Sequence, residues 1–371
     1  MMIAPGKSAT STYNYIVYLF QEKIMRWHTT EQIASIPMRQ VGPVKIISAE
    51  VNEAVFIPLA TLETPLWPST QRGAMVCSRA GGISVVIVDE RMTRSILLEA
   101  RSASAVYQAW QKIQNKKEIL QQVVSESSRY ARLLDMHAQV VGTLLYLRFE
   151  FSTGDAAGHN MVTLAADHLL NWIVRHYPEL SYVSISGNYC TDKKNSAVNG
   201  ILGRGKNVIA EVTLSRALCR RFLKTTPEAI VQLNVKKNLL GSIVAGGVRT
   251  ANAHFANVLL GFYLATGQDV ANIVEGSQGI VYAEARADNL YFSVTVPHLI
   301  VGTVGNGKGL TFVQENLRLL GCLEKRAVGQ NARRLAVIGA AAILCAELSL
   351  LAAQSKPGEL MKSHLQLERQ K

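Results

Sequence analysis

The sequence predicts an α/β (α+β) fold: a large mixed helical/β domain with a smaller ferredoxin-like module inserted into it. Three observations carry this. Residues 83–186 read strand, helix, strand, helix, strand, the alternation of an α/β module. Beyond Asn188, strands alternate with long Ala-, Leu- and Asn-rich helices to the end. One run, Leu335 to Ala353, is apolar all round, as a helix buried in a large core is. At 371 residues the chain accommodates two domains, each with its own core.

Taken in order, residues 1–39 read as a small helical lead-in, with an amphipathic run from Tyr13 to Trp27. Val41 to Pro58 is β-like, and Gly81-Gly82 introduces the buried-strand run ISVVIV. Ser102 to about Ser125 carries apolar residues at helical spacing. Val140 to Phe151 reads as one long strand, Asn160 to His176 as a helix and Tyr182 to Ser186 as a strand. The large domain is then residues 40–94 and 187–354, with 95–186 inserted. From Ser355 the chain is polar and basic after a Lys-Pro-Gly break, which predicts a mobile tail over 355–371.

Composition narrows the partners. A net charge of +12 favours anionic ones, and phosphate-rich cofactors fit better than nucleic acid. No RGG tract, zinc-finger spacing or RNP-like aromatic motif is present. Five scattered cysteines, odd in number and never spaced CxxC, argue for a reducing compartment without structural disulfides. No close histidine pair suggests a metal site. The N-terminus lacks a basic-then-apolar signal pattern, which points to the cytoplasm. Glu347 inside the Leu335–Ala353 run favours a buried helix over a membrane span.

Four words carry the chemistry. SGNYCTDKK (Ser186 to Lys194) follows a β-rich run and puts Asp192, Lys193 and Lys194 in an ordered loop. A lysine beside an aspartate there can hold a positive charge against a carbonyl oxygen that becomes an oxyanion. PLATLETPLWPSTQRG places Glu63 in a Thr- and Pro-rich turn; ATGQDVANIVEGSQ places Asp269 after Gly267; MKSH places His364 in the tail. Alone, each also fits a plain role: a solvated turn, a solvated carboxylate, an Asp that caps a helix, a surface histidine.

Together, and in this order, the words resemble the catalytic segments of class I 3-hydroxy-3-methylglutaryl-CoA (HMG-CoA) reductases, from about Val41 to the end of the chain. The resemblance implies NADPH-dependent reduction of HMG-CoA to mevalonate and CoA through a thiohemiacetal and mevaldehyde. It implies Lys193 as oxyanion partner, Glu63 as proton donor, His364 as acid for the CoA thiolate, and Asp269 between Lys193 and Glu63. Substrate contacts fall on Arg94, Ser186, Asn188, Asp192, Lys194, Lys237, His254 and Asn257, with Arg72 near CoA. A guanidinium fork at Arg94 suits a free carboxylate. The segments GDAAGHN and GTVGNGKG resemble the family's dinucleotide loops, which implies Asp155, Gly158, Asn160, Gly305 and Gly307 at the cofactor and Lys308 as an addition. Small residues at a helix N-terminus let backbone approach a pyrophosphate. Ser128 and Arg129 align with contacts to the 2′-phosphate, which favours NADP over NAD. The family also implies a homodimer or homotetramer with active sites at the subunit interface.

The chain departs from the family in places. Thr64-Pro65 follows Glu63 where a glycine is usual, and Ala157 and His159 stand where methionines are usual. The family's ENVIG and PxGxAGPL phrases are reduced to VGPVKI (Val41 to Ile46). Two rival readings remain: a CoA- or NADP-binding protein without catalysis, and a basic nucleic-acid-binding protein.

Overall fold

The computed structural model describes residues 33–368, so the lead-in helix expected over Tyr13 to Trp27 lies outside the described residues. A β-hairpin, β1 (Met38–Ile47) with β2 (Asn52–Ala60), leads into helix α1 (Leu66–Arg79). Strand β3 (Ile83–Glu99) is 17 residues long and serves two groups of strands. Its first half pairs antiparallel with β7 (Gly205–Ser215) and, over two residues, parallel with β1. The outer strands there are β9 (Asn289–Leu299) and β8 (Ile280–Arg286), giving the order β2-β1-β3-β7-β9-β8.

Past a bulge between Ile87 and Asp89, the second half of β3 changes partners. It pairs antiparallel with β5 (Leu144–Ser152) on one side and β6 (Ser181–Ser184) on the other, while β4 (Arg132–Val141) pairs with β5. The local order is β6-β3-β5-β4. Helices α2 (Ala103–Ile113), α3 (Lys117–Ser127) and α4 (His159–His176) belong to this part of the chain.

Two sequence expectations change here. The single strand expected over Val140 to Phe151 is the meeting of β4 and β5 across a Gly142-Thr143 turn. Apolar residues on both sides of that turn (VVGTLL) hid the reversal. The helix expected over Ser102 to Ser125 is two helices, interrupted by a 3-10 turn at Gln114–Lys116.

Two apolar clusters follow this division. The smaller draws on Met92, Ile96 and Leu98 of β3, on α2 to α4, and on β4 and β5. The larger surrounds α9 (Gln330–Gln354), reached after α5 (Ala197–Leu202), α6 (Pro227–Leu233), α7 (Phe255–Ala265) and α8 (Thr311–Leu319). Helix α9 is long and apolar enough to cross a membrane, but 94% of its apolar window is buried inside the fold. All five cysteines are free and buried. The tail is helical rather than irregular: α10 (Glu359–Glu368) follows Gly358, and Lys224 meets Glu359 at 3.0 Å in its first turn.

Candidate active site

The SGNYCTDKK loop leaves β6 in a strained path. Asn188, Thr191 and Lys193 all have positive φ (57°, 49° and 54°), a conformation that costs a non-glycine residue about 1 kcal/mol or more. Contacts from β3 hold it. Gly187 N–H donates to Ser95 O (3.3 Å), Cys190 N–H to Ser95 Oγ (3.1 Å), and Thr93 Oγ1 to Cys190 O (3.1 Å). Beneath it lies Arg204, 1% exposed, which bonds Thr93, the Asp192 carboxylate and Glu275. Glu275, fully buried, accepts the Lys193 backbone N–H at 3.1 Å. Burial raises its carboxyl above the usual range against the pull of Arg204.

This frame leaves the Lys193 side chain to reach Asp269, with Nζ 2.8 Å from Oδ2. The hydrogen bond to Asp269 holds the ammonium above the usual lysine range, although burial opposes it. Burial alone would raise Asp269; the Lys193 bond and charge outweigh it and keep the carboxyl below its ordinary value. The pair is a fixed, charged lysine near neutral pH.

Lys193 and Asp269 line one cleft with Gly158, His159, Asn160, Gly305 and Lys308. Gly158, at φ 98°, caps α4 in a left-handed turn, so the helix N-terminus opens into the cleft. The two glycine-rich loops are bridged at Ala156 and Val304. A Cβ on Gly302 would lie 2.3 Å from Ala157 N, so only glycine allows that approach. Lys308 donates to Gly267 O, and burial lowers its ammonium to about 8.

Helix α7 separates this cleft from a second group of predicted residues. Glu63 accepts from Asn257 Nδ2 at 2.8 Å, near the N-terminus of α7. His254 precedes the helix, and its N–H donates to Glu347 Oε1 at 2.6 Å. Glu347, fully buried on α9, also accepts from Ala253 N–H at 2.9 Å, and burial raises its carboxyl. Burial lowers the nearby Lys237 ammonium, which Glu347 partly offsets. Asp269 lies beyond the other end of α7. Eleven residues at about 1.5 Å each put the two ends about 16 Å apart. The expected position of Asp269 between Lys193 and Glu63 is therefore not met within one chain.

Other predicted residues have local partners. Arg94 donates to Thr163 Oγ1 at 2.9 Å and lies 3.9 Å from Asp192. Lys194 Nζ donates to Asp192 O, and Ser186 is tied through its backbone to Ser184. Arg72 donates to Ser349 Oγ and O on α9, so it braces α1 rather than reaching outward. Asp155 is also committed: its carboxylate accepts from Gly329 N–H (2.9 Å) and Ala332 N–H (3.0 Å), capping α9. A direct cofactor contact would compete with that cap. Gly307 approaches Gly267, where an added Cβ would meet Gly267 O at 2.7 Å. Ser128 Oγ accepts from Ala131 N–H, and exposed Arg129 lies over Tyr130. The pairing of Arg132 with Ser152 brings that turn to the strand end that runs into GDAAGHN. His364 lies on the backbone of α10, and its side chain is outside the described residues.

Sequence reasoning missed Arg204, Glu275 and the site role of Glu347. Nothing near Arg204 in the sequence announces it, and Glu275 lies within the ATGQDVANIVEGSQ word but was passed over beside Asp269, whereas a lone Glu in an apolar helix did mark Glu347.

The cleft sets a charged lysine, paired with Asp269, beside a glycine-lined helix N-terminus, an arrangement suited to an enzyme that handles an anionic ligand. Residues 31–369 match the family described as hydroxymethylglutaryl-coenzyme A reductase. The chain is 42% identical over 340 residues to the 3-hydroxy-3-methylglutaryl-coenzyme A reductase of Pyrococcus horikoshii, covering 91% of this chain and 82% of that one. It is 40% identical to the Methanocaldococcus jannaschii reductase over 94% of this chain and 86% of the relative. Its fold is similar to that of a class II 3-hydroxy-3-methylglutaryl-CoA reductase from Streptococcus pneumoniae bound to NADPH. That match has a TM-score of 0.71 and 17% identity, and covers 94% of this chain and 98% of that chain. The chain belongs to the hydroxymethylglutaryl-coenzyme A reductase family.

Proposed function

We propose that this chain catalyses the NADPH-dependent, four-electron reduction of (S)-HMG-CoA to mevalonate and CoA in the mevalonate pathway, as a class I enzyme. The class I reading rests on the four words of the sequence, and the class II enzyme of similar fold is only 17% identical. Residues 95–186 act as the inserted ferredoxin-like, dinucleotide-binding domain; the strand order β6-β3-β5-β4 and the separate apolar cluster support this. Residues 40–94 and 187–354 form the substrate domain.

NADPH, where bound, supplies the two hydrides. The N-terminus of α4, Gly158, Asn160 and the loop through Gly305 and Gly307 would hold its phosphates, and Ser128 and Arg129 would hold the 2′-phosphate. Negative charge that develops on the thioester oxygen is met by the Lys193 ammonium, which Asp269 keeps charged. Arg94, Ser186, Asn188 and Lys194 orient the substrate. The thiohemiacetal then collapses, and His364 protonates the CoA thiolate. Glu63 protonates the oxygen at the second reduction.

Because α7 separates Glu63 from Lys193, the complete site forms between two copies. Glu63, Asn257, His254 and Lys237 of one face Lys193 and Asp269 of the other, so the enzyme is at least a homodimer. It acts in the cytoplasm on soluble substrates.

The 2.8 Å Lys193–Asp269 pair within the glycine-lined cleft carries this reading. Purified chain should consume NADPH when given HMG-CoA, and Arg129→Ala should erode the preference for NADPH over NADH. Folded protein that leaves NADPH unconsumed with HMG-CoA would refute it.

A further inference from the structure

We propose that His159 is a second electrophile of this site, donating a hydrogen bond from Nε2 of a neutral imidazole to the substrate oxygen that Lys193 also faces. The inference rests on the reductase reading and deepens it. His159 is the first residue of α4 and lines the cleft shared by Lys193 and Asp269. Its Nε2 is buried without a hydrogen-bond partner. The nearest charge, Asp192 Oδ1, is 3.7 Å away, beyond hydrogen-bond range, and is already held by Arg204. His159 lines the cleft, and its Nε2 is a buried polar atom without a protein partner, which a ligand group could satisfy.

The charge state suits a donor that must not release its proton. Burial, then Arg204 and Lys193, lower the imidazole to about 4, against the opposing pull of Asp192 and Asp269. Those four groups come from the strand start at β7, the SGNYCTDKK loop and the turn after α7; Lys308 faces the same cleft. The positive end of α4 disfavours the imidazolium further. Asp192 at 3.7 Å attracts an N–H and repels a lone pair, which selects the tautomer with its proton on Nε2. A neutral imidazole held at a helix N-terminus polarises a carbonyl without transferring a proton. No bond to hydrogen breaks at His159; the proton that ends on the substrate oxygen still comes from Glu63. The methionine usual at this position has no N–H to give.

The test uses the full-length enzyme with His159→Met and His159→Gln. Each is assayed for kcat and KM with HMG-CoA and with mevaldehyde, and for melting temperature. His159→Met should lower kcat on the order of 10²-fold with both substrates, leaving KM for NADPH within about twofold. His159→Gln, whose amide keeps an N–H, should recover part of the loss. The pH profiles of kcat for wild type and His159→Gln should show the same ionisations between about pH 5 and 8, because His159 itself stays neutral there. The proposal fails if His159→Met keeps wild-type kcat, if the loss falls wholly on KM for NADPH, or if a His159→Gln enzyme with wild-type melting temperature is as slow as His159→Met. Wild-type enzyme that does not oxidise NADPH with HMG-CoA sinks the reductase reading instead, a result distinct from all of these.

Discussion

Beyond the C-terminal end of α7, Asp269 has its cation in the same chain, 2.8 Å away. At the N-terminal end, Glu63 meets the neutral amide of Asn257, and Glu347 is buried beneath with two backbone N–H groups. The first end is a finished charge pair within one chain. At the second, the acid is bonded to an amide, and the Lys237 ammonium bonds Asn238 rather than Glu63. The contrast teaches that convergence in sequence order is not convergence within one folded chain: a helix about 16 Å long keeps the halves apart.

Breaking the finished end has the largest expected effect. Lys193→Ala should lower kcat by on the order of 10²-fold or more for both HMG-CoA and mevaldehyde, since both steps build charge on an oxygen. A loss confined to one substrate would mean that Lys193 serves only one step.

Asp269→Asn sharpens the same end. In the wild type, the Asp269 bond raises Lys193, so its charged form persists to higher pH than in an ordinary lysine. Removing the carboxylate lets Lys193 deprotonate earlier as pH rises. The alkaline limb of the kcat/KM profile should move to lower pH; an unmoved limb would show that Lys193 does not set it.

How much of this was legible follows from where each signal lies. The four words are local, so Lys193, Asp269, Glu63 and His364 stand out in short segments; of these the structure pairs Lys193 with Asp269, and the Leu335–Ala353 run announced a buried helix. The β4–β5 turn was hidden because apolar residues run through it on both sides. Arg204 was unreadable because its work is to satisfy a distant strained loop, which no spacing in its own segment encodes; Glu275 sits in the Asp269 word, but its bond to the Lys193 backbone is likewise not encoded locally. Asp155 shows the converse. It lies in a cofactor word, yet its carboxylate went to a helix start 174 residues away.

That commitment gives the smallest prediction. Asp155→Ala should destabilise the fold by about 1 kcal/mol through the lost α9 cap, read from chemical unfolding, with little change in KM for NADPH. A raised KM at unchanged stability would return Asp155 to the cofactor.

The most direct test of the central claim is complementation between two inactive chains. Lys193→Ala and Glu63→Ala subunits, differently tagged, are produced together so that they assemble at random, and NADPH oxidation with HMG-CoA is measured. If each site takes its lysine from one copy and its glutamate from the other, every mixed dimer holds one intact site, and about a quarter of wild-type activity returns. Mixed dimers as inactive as either parent would show that both residues must come from one chain, which contradicts the account.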